Sequence, residues 1–200
     1  MTTIVPFDFN NLYGYSMTEM MPLNNFKSLT YEDLIIHQLK FDDIFKHKNI
    51  ERHYNKESNT GYIFCAKIEF TKEAQRKLLS FPLVPEQLVV EEEMISEEQK
   101  KTWKKLFSRE YSSSNHKKMV NSFATKQEYT SHYRLLSFLS SLGVKVTLLR
   151  GYSFNQEKFI KPYVEFCAKM RKLSKNQADK KLWKNMANII YGKFIGKDLY

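Results

Sequence analysis

The chain is poor in the residues that staple or punctuate small folds. Only two of its 200 residues are cysteine, Cys65 and Cys167, which excludes a disulfide scaffold and a multi-cysteine zinc module. Its six glycines nowhere gather into a glycine-rich phosphate loop, and no Ser-His-Asp arrangement can be argued. No apolar run approaches the ~20 residues that span a bilayer, and the first residues lack the basic region and apolar stretch of a signal peptide. The expectation is therefore an intracellular protein without membrane contact. No internal repeat or low-complexity tract is visible. With 42% hydrophobic and 27% charged residues, the composition is that of a globular chain and not a disordered one. Two hundred residues allow one ordinary domain or two small ones.

Acidic residues are scarce in one half only. Residues 1–100 hold 11 basic and 16 acidic side chains, a net charge of −5, whereas residues 101–200 hold 21 basic and 6 acidic, a net charge of +15. The net +10 of the chain thus belongs to its second half. A basic, aromatic-rich half-chain points to a polyanionic partner, most often nucleic acid. The alternative is a lysine surface that is merely solvated.

Hydrophobic periodicity predicts an α+β chain. Thr2–Phe9 reads as a short buried strand ending in a carboxylate, and Asn10–Met21 as a Met- and Tyr-rich helical turn closed by Pro22. Tyr31–His37 and Asp42–His47 read as two short helices, and Gly61–Phe70 alternates like a strand. Thr71–Leu79 reads as a helix with Thr71 as N-cap, broken at Phe81–Pro85. Glu91–Phe107 reads as a charged helix with an acidic start and a basic end. Ser112–Asn115 marks a loop. Ser131–Leu142 reads as an amphipathic helix stopped by Gly143, and Val144–Leu149 as an apolar strand. Lys161–Leu173, with Pro162 in its first turn, and Asn176–Tyr191 form an antiparallel helical hairpin, the most basic element of the chain.

The last of these helices carries a chemically suggestive face. At 100° per residue, Lys184, Asn188 and Tyr191 fall within roughly a 60° arc. Leu182, Met186, Ile189 and Ile190 take the opposite face and are expected to pack on the neighbouring helix. Gly192 follows, where a helix stop or a close backbone approach is easiest. Lysine, amide and phenol in one stripe suit a phosphorylated aromatic ligand, although a solvated helix face has the same pattern. At the other end of the chain, Asp8 closes an apolar strand beside Asn10, Asn11, Leu12 and Tyr13. A carboxylate placed there can hold a hard cation while the following turn receives phosphate oxygens; it can equally cap the next helix. His47 and His53, near Asp42 and Asp43, match no ordinary metal spacing and read as a polar loop. Glu91, Glu92 and Glu93 read as a solvated helix start, and the two cysteines as small core residues.

Two of these segments carry a family resemblance. D-F-N-N-L-Y-G at Asp8–Gly14 resembles the first palm motif of family B DNA polymerases, D-x-x-S-L-Y-P. K-N-M-A-N-I-I-Y-G at Lys184–Gly192 resembles their fingers motif, K-x-x-x-N-S-x-Y-G. F-P-L-V-P-E at Phe81–Glu86, T-K-Q-E-Y-T-S-H-Y-R-L-L at Thr125–Leu136 and L-G-V-K-V at Leu142–Val146 resemble the protein-primed branch, in particular the polymerases of Polinton/Maverick-like virus-like DNA transposons.

The resemblance implies residues 1–25 as the start of a palm, 26–155 as the palm remainder and an insertion that engages a priming terminal protein and the duplex, and 156–200 as the fingers. The partial palm is expected to be an antiparallel sheet with packed helices. The implied activity is DNA-directed DNA polymerisation: nucleotidyl transfer from a dNTP to a DNA or protein-bound primer. Asp8 would be one of two carboxylates binding catalytic Mg²⁺, with Mn²⁺ as a substitute. Asn10, Asn11 and Leu12 would cradle the triphosphate, and Tyr13 would pack under the sugar. Lys184 would neutralise the triphosphate, with Arg171 and Lys175, at i and i+4, as further phosphate contacts. Asn188, Tyr191 and Gly192 would line the nascent base pair. Three positions depart from the pattern: Asn11 stands for Ser, Gly14 for Pro and Ile189 for Ser. No Asp-Thr-Asp, the family's third motif, occurs in the chain, and a proofreading exonuclease region upstream of Asp8 is not expected. Since two-metal catalysis needs both carboxylates, the chain is expected to form half an active site and to be inactive alone. The competing expectation is a non-catalytic nucleic-acid-binding protein derived from such a polymerase.

Overall fold

Two long strands organise the molecule. In the computed structural model, which describes residues 11–79, 81–112 and 116–195, β2 (Thr60–Phe70) and β6 (Val144–Glu157) pair antiparallel from Thr60↔Asn155 to Phe70↔Val144. Two flanking strands, β1 (Met21–Ser28) and β5 (Lys126–His132), complete an antiparallel sheet in the order β1-β6-β2-β5. The fold is thus mixed α+β, with helices packed on an antiparallel sheet. The Thr2–Phe9 strand and residues 113–115 of the expected loop lie outside the described residues.

β2 turns Phe64, Ala66, Ile68 and Phe70 to one face, and β6 adds Val144 and Val146. That face is closed by helix α2 (Tyr31–His47), through Phe41 and Ile44, and by helix α5 (Tyr133–Ser141), through Tyr133, Leu136 and Leu139. Truncating a buried aromatic such as Phe64 here costs about 3–5 kcal/mol. A bulge at Cys65/Ala66 leaves Leu149 of β6 without a register partner and partly exposed.

Several expected elements are changed, each for an identifiable reason. Tyr31–His37 and Asp42–His47 are one helix, α2, opened by a capping box between Thr30 and Asp33. Polar side chains at the apparent break are tied inward: His37 is buried and bonded to the Tyr54 hydroxyl at 2.8 Å. Gln38 donates to Val146 O at 3.0 Å and accepts from Leu148 N at 2.8 Å, where β6 runs past the end of β1. Pro22 does not close a helical turn but sits in β1, an edge strand with two register shifts, where a missing N–H is tolerated. Ser131 and His132 belong to β5, so α5 begins only at Tyr133. β6 continues well beyond Leu149, to Glu157. The charged helix α4 starts at Glu97 behind a Ser96/Gln99 capping box, after a 3₁₀ turn at Glu92–Met94.

Other expectations agree. Thr71 caps helix α3 (Lys72–Leu78), accepting from Ala74 N at 3.1 Å and donating to Gly143 O at 2.7 Å. Gly143 follows α5 at φ 92°, a conformation that favours glycine. A two-stranded pair, β3 (Glu86–Leu88) with β4 (Lys118–Val120), brackets α4 (Glu97–Phe107) in the chain. It is clasped by Lys126 of β5, fully buried, whose Nζ meets Glu86 Oε2 at 2.6 Å and Ser122 Oγ at 3.0 Å. Among the described residues no helix is long and apolar enough to cross a membrane.

Two histidines, His37 buried and His132 half-buried, set an acid limit on stability. Burial pulls both His37 and His132 down to about 4 from an ordinary 6.5, so both are neutral in the fold at pH 7. Between those values the unfolded chain binds more protons than the folded one, and stability is lost as pH falls. Urea unfolding at pH 7 and pH 5 should show a lower midpoint at pH 5, and the difference should shrink in His37→Gln.

Candidate functional site: a cationic cleft

The register of one strand pair decides which segments meet. β1 runs antiparallel to β6 with Met21 opposite Glu157, so the start of β1 lies beside the end of β6. Helix α1 (Leu12–Met17), which leads into β1, and helix α6 (Lys161–Leu173), which leaves β6, therefore emerge at the same end of the sheet. Met17, Ile160 and Val164 form a small core there, with Met21 and Ile190 packed against it.

Helix α7 (Gln177–Ile195) returns along α6. Asn176 holds its start: Asp179 N donates to Asn176 Oδ1 and Asn176 Nδ2 donates to Asp179 Oδ2, both at 2.8 Å. The Phe166 and Trp183 rings meet edge to face at 5.7 Å, and the Tyr163 hydroxyl donates to Met186 O at 3.3 Å. The seam on α7 runs through Trp183, Ala187 and Ile190, spaced i, i+4, i+7. The expected apolar back is thereby corrected: Leu182, Met186 and Ile189 face solvent. Buried Ala187 allows close approach and rotates the contact arc toward itself.

Between α1, α6 and α7 lies a cleft of about 450 Å³ with Asn11, Arg171, Lys172, Lys180, Trp183 and Lys184 in its wall. Val164, Cys167, Ala168 and Ala187 supply its apolar lining. No carboxylate lines it among the described residues, and none of its four cations is ion-paired there. Elsewhere charges do find partners, as in Arg134–Glu19 at 3.0 Å and Lys158–Glu57 at 2.6 Å. Four unneutralised cations around one cavity repel each other and attract an anion.

The two motif segments converge at this cleft. Asn11 and Lys184 both line it, and beside it the Tyr13 and Tyr191 rings stack with centroids 4.2 Å apart at 27°. Leu12 and Tyr13 are half exposed. Asn188 does not line the cleft; its Oδ1 is buried and has no hydrogen-bond partner among the described residues. Gly192 neither stops the helix nor marks a close approach; α7 runs through it, and a Cβ there would meet nothing within 4 Å. Lys175 is not brought in with Arg171. α6 ends at Leu173, and the extended Ser174 (φ −66°, ψ 131°) turns the chain away. Lys172 and Lys180 take its place, both missed from sequence; the i, i+4 spacing of Lys180 and Lys184 was the available signal.

Asp8 and Asn10 lie outside the described residues. Among the described residues no group of His, Cys, Asp or Glu could hold a metal ion. The cleft wall by itself, cationic and without a carboxylate, fits an anion and not a divalent cation. The histidines near Asp43 form an ion cluster: Asp43 meets His53 at 2.7 Å, Arg52 at 3.3 Å and His47 at 3.4 Å. The hydrogen bond from His53 is the main cause holding the Asp43 carboxyl below its usual range.

The geometry separates neighbouring lysines. Titrating inorganic triphosphate against the protein should give about tenfold weaker binding for Lys172→Ala and for Lys180→Ala, and unchanged binding for Lys175→Ala. Equal losses at all three positions would mean a diffuse charge effect and no defined cleft. Comparison with protein-family models, with curated proteins and with solved structures finds no match to this chain.

Proposed function

We propose that this chain is the nucleotide-holding part of a protein-primed family B DNA polymerase, with a dNTP as substrate and a DNA primer-template and a priming terminal protein as partners. One observation carries the reading. The Asn11–Gly14 and Lys184–Tyr191 segments, at opposite ends of the chain and each holding half of the polymerase resemblance, border one cleft, with Tyr13 stacked on Tyr191. In this reading the polyphosphate lies against Arg171, Lys172, Lys180 and Lys184, which offset its charge, while the nucleoside meets the tyrosine rings. Phosphoryl transfer asks a protein mainly for positioning and charge neutralisation, and this inventory supplies both. Asp8 is the carboxylate assigned to Mg²⁺. The sheet is then the palm remainder with its insertion, and the α6–α7 hairpin the fingers.

A second reading, a non-catalytic nucleic-acid-binding protein, is favoured by a separate observation: the cleft offers cations and no carboxylate among the described residues. The two separate experimentally. On the polymerase reading, dATP binds saturably, is displaced by inorganic triphosphate, and DNA binding weakens steeply with salt. DNA binding without dATP binding supports the second reading. Failure to bind either at low salt overturns both. Primer extension with Mg²⁺, run beside Asp8→Ala, should give no product from this chain alone; product that vanishes in the variant would mean that another carboxylate completes the site.

A further inference from the structure

Asn11 is held in an unusual way. Its backbone is left-handed, at φ 58° and ψ 43°, a conformation that asparagine and glycine tolerate best. It stands at the N-cap position of α1, yet its side chain makes no capping hydrogen bond, so capping does not explain it. Its amide has no hydrogen-bond partner among the described residues, and Asn11 is one of the residues that line the cationic cleft. Among the described residues it is the one amide in a wall whose other hydrophilic side chains are Arg171, Lys172, Lys180 and Lys184.

Gly14 explains where that amide lies. Among the described glycines, Gly143 alone has a positive φ, so the backbone of Gly14 does not call for glycine. In the six-residue helix α1, glycine costs about 0.5–1 kcal/mol relative to alanine. What the position lacks is room. The three nearest atoms to a Cβ built on Gly14 are Nδ2, Cγ and Oδ1 of Asn11, with Cγ at 2.7 Å. Because the clash reaches Cγ, a side chain at position 14 would force Asn11 to rotate about χ1, away from its present place.

We infer that Gly14 is a positioning residue for Asn11, that its missing side chain lets the Asn11 amide lie across α1 and border the cleft, and that the two act as one unit in holding the polyphosphate of a nucleotide. The inference rests on the nucleotide reading of the cleft. The chemistry differs from that of the lysines. A neutral amide donates to a phosphate oxygen without adding to the repulsion among four cations, and its bond releases no counterions, so it survives salt better than they do.

The test is a double-variant cycle, with dATP binding measured at two salt concentrations. Asn11→Gly keeps the left-handed backbone and removes the amide; it should weaken binding about tenfold, the worth of one hydrogen bond to a charged group, with the salt slope unchanged. Gly14→Ala should weaken binding to the same extent while its thermal unfolding midpoint stays level or rises. Asn11→Gly combined with Gly14→Ala should lose no more than either alone, because the methyl added at position 14 then has nothing to displace. Asn11→Asp, equal in shape and carrying a negative charge, should lose more than Asn11→Gly, and the excess should shrink with salt. The inference is overturned if Gly14→Ala binds dATP like the unsubstituted protein, if the two single losses multiply in the double variant, or if Asn11→Asp and Asn11→Gly behave alike. Absence of dATP binding in the unsubstituted protein overturns it together with the nucleotide reading, whereas intact binding with a silent Gly14→Ala overturns it alone.

Discussion

The pairing of β1 with β6 is the constraint on which the site depends. β6 is longer than β2, and its outer edge beyond Tyr152 holds β1 in a register that ends at Met21↔Glu157. An antiparallel partner begins where its neighbour ends. The chain before β1 and the chain after β6 are thereby delivered to one end of the sheet, and α1 meets α6 and α7 without either segment knowing the other in sequence. A one-residue slip of β6 against β2 would exchange the faces of β6, putting Val144 and Val146 in water and Lys145 in the core. The hydrophobic face of β6 thus fixes the strand on which β1 is laid.

Charge is distributed by the same logic. Where the fold needs an ion for structure it supplies a partner, and the fully buried Lys126, held by Glu86 and Ser122, is the extreme instance. A buried cation left unpaired would cost several kcal/mol. Around the cleft the rule is suspended, since Arg171, Lys172, Lys180 and Lys184 share a wall with no acid among the described residues. Their ends remain solvated, so the penalty is mutual repulsion and not desolvation. That repulsion is relieved by an anion, which gives the cleft a preference for ligand charge before any contact is shaped.

Legibility in the sequence followed the locality of the forces. α3 and α6 were readable from their own caps and turns, as with Thr71 accepting from Ala74 N and Pro162 in the first turn of α6. Gly143 was readable because one residue carries the conformational demand. Elements stabilised by distant partners were not. β1 is exposed along nearly its whole length and exists through its pairing with β6, so no alternation marks it. Gln38 reads as a break in a helix because its bonds are to Val146 and Leu148, far along the chain. At the site, the stripe of Lys184, Asn188 and Tyr191 was visible as helical spacing, and Arg171 as a neighbouring cation. The exclusion of Lys175 was not, since it turns on the extended conformation of Ser174. Lys172 and Lys180 required knowing how α6 and α7 cross.

The site is also less firmly held than the sheet that positions it. The main core joins Phe41, Phe64, Ile68, Tyr133 and Leu139 across helix and strand, whereas the cleft end rests on Met17, Ile160 and Val164, on buried Cys167 and Ala187, and on the Phe166–Trp183 and Tyr13–Tyr191 ring contacts. Both rings of the tyrosine stack are partly exposed, and α7 turns Leu182, Met186 and Ile189 outward in place of burying them. Local stability follows buried apolar contact, so the α6–α7 hairpin belongs to the more easily opened part of the molecule. A ligand that bridges Asn11 on α1 and Lys184 on α7 would contribute there the cohesion that the core does not provide. Binding such a ligand would then stabilise the hairpin against the sheet.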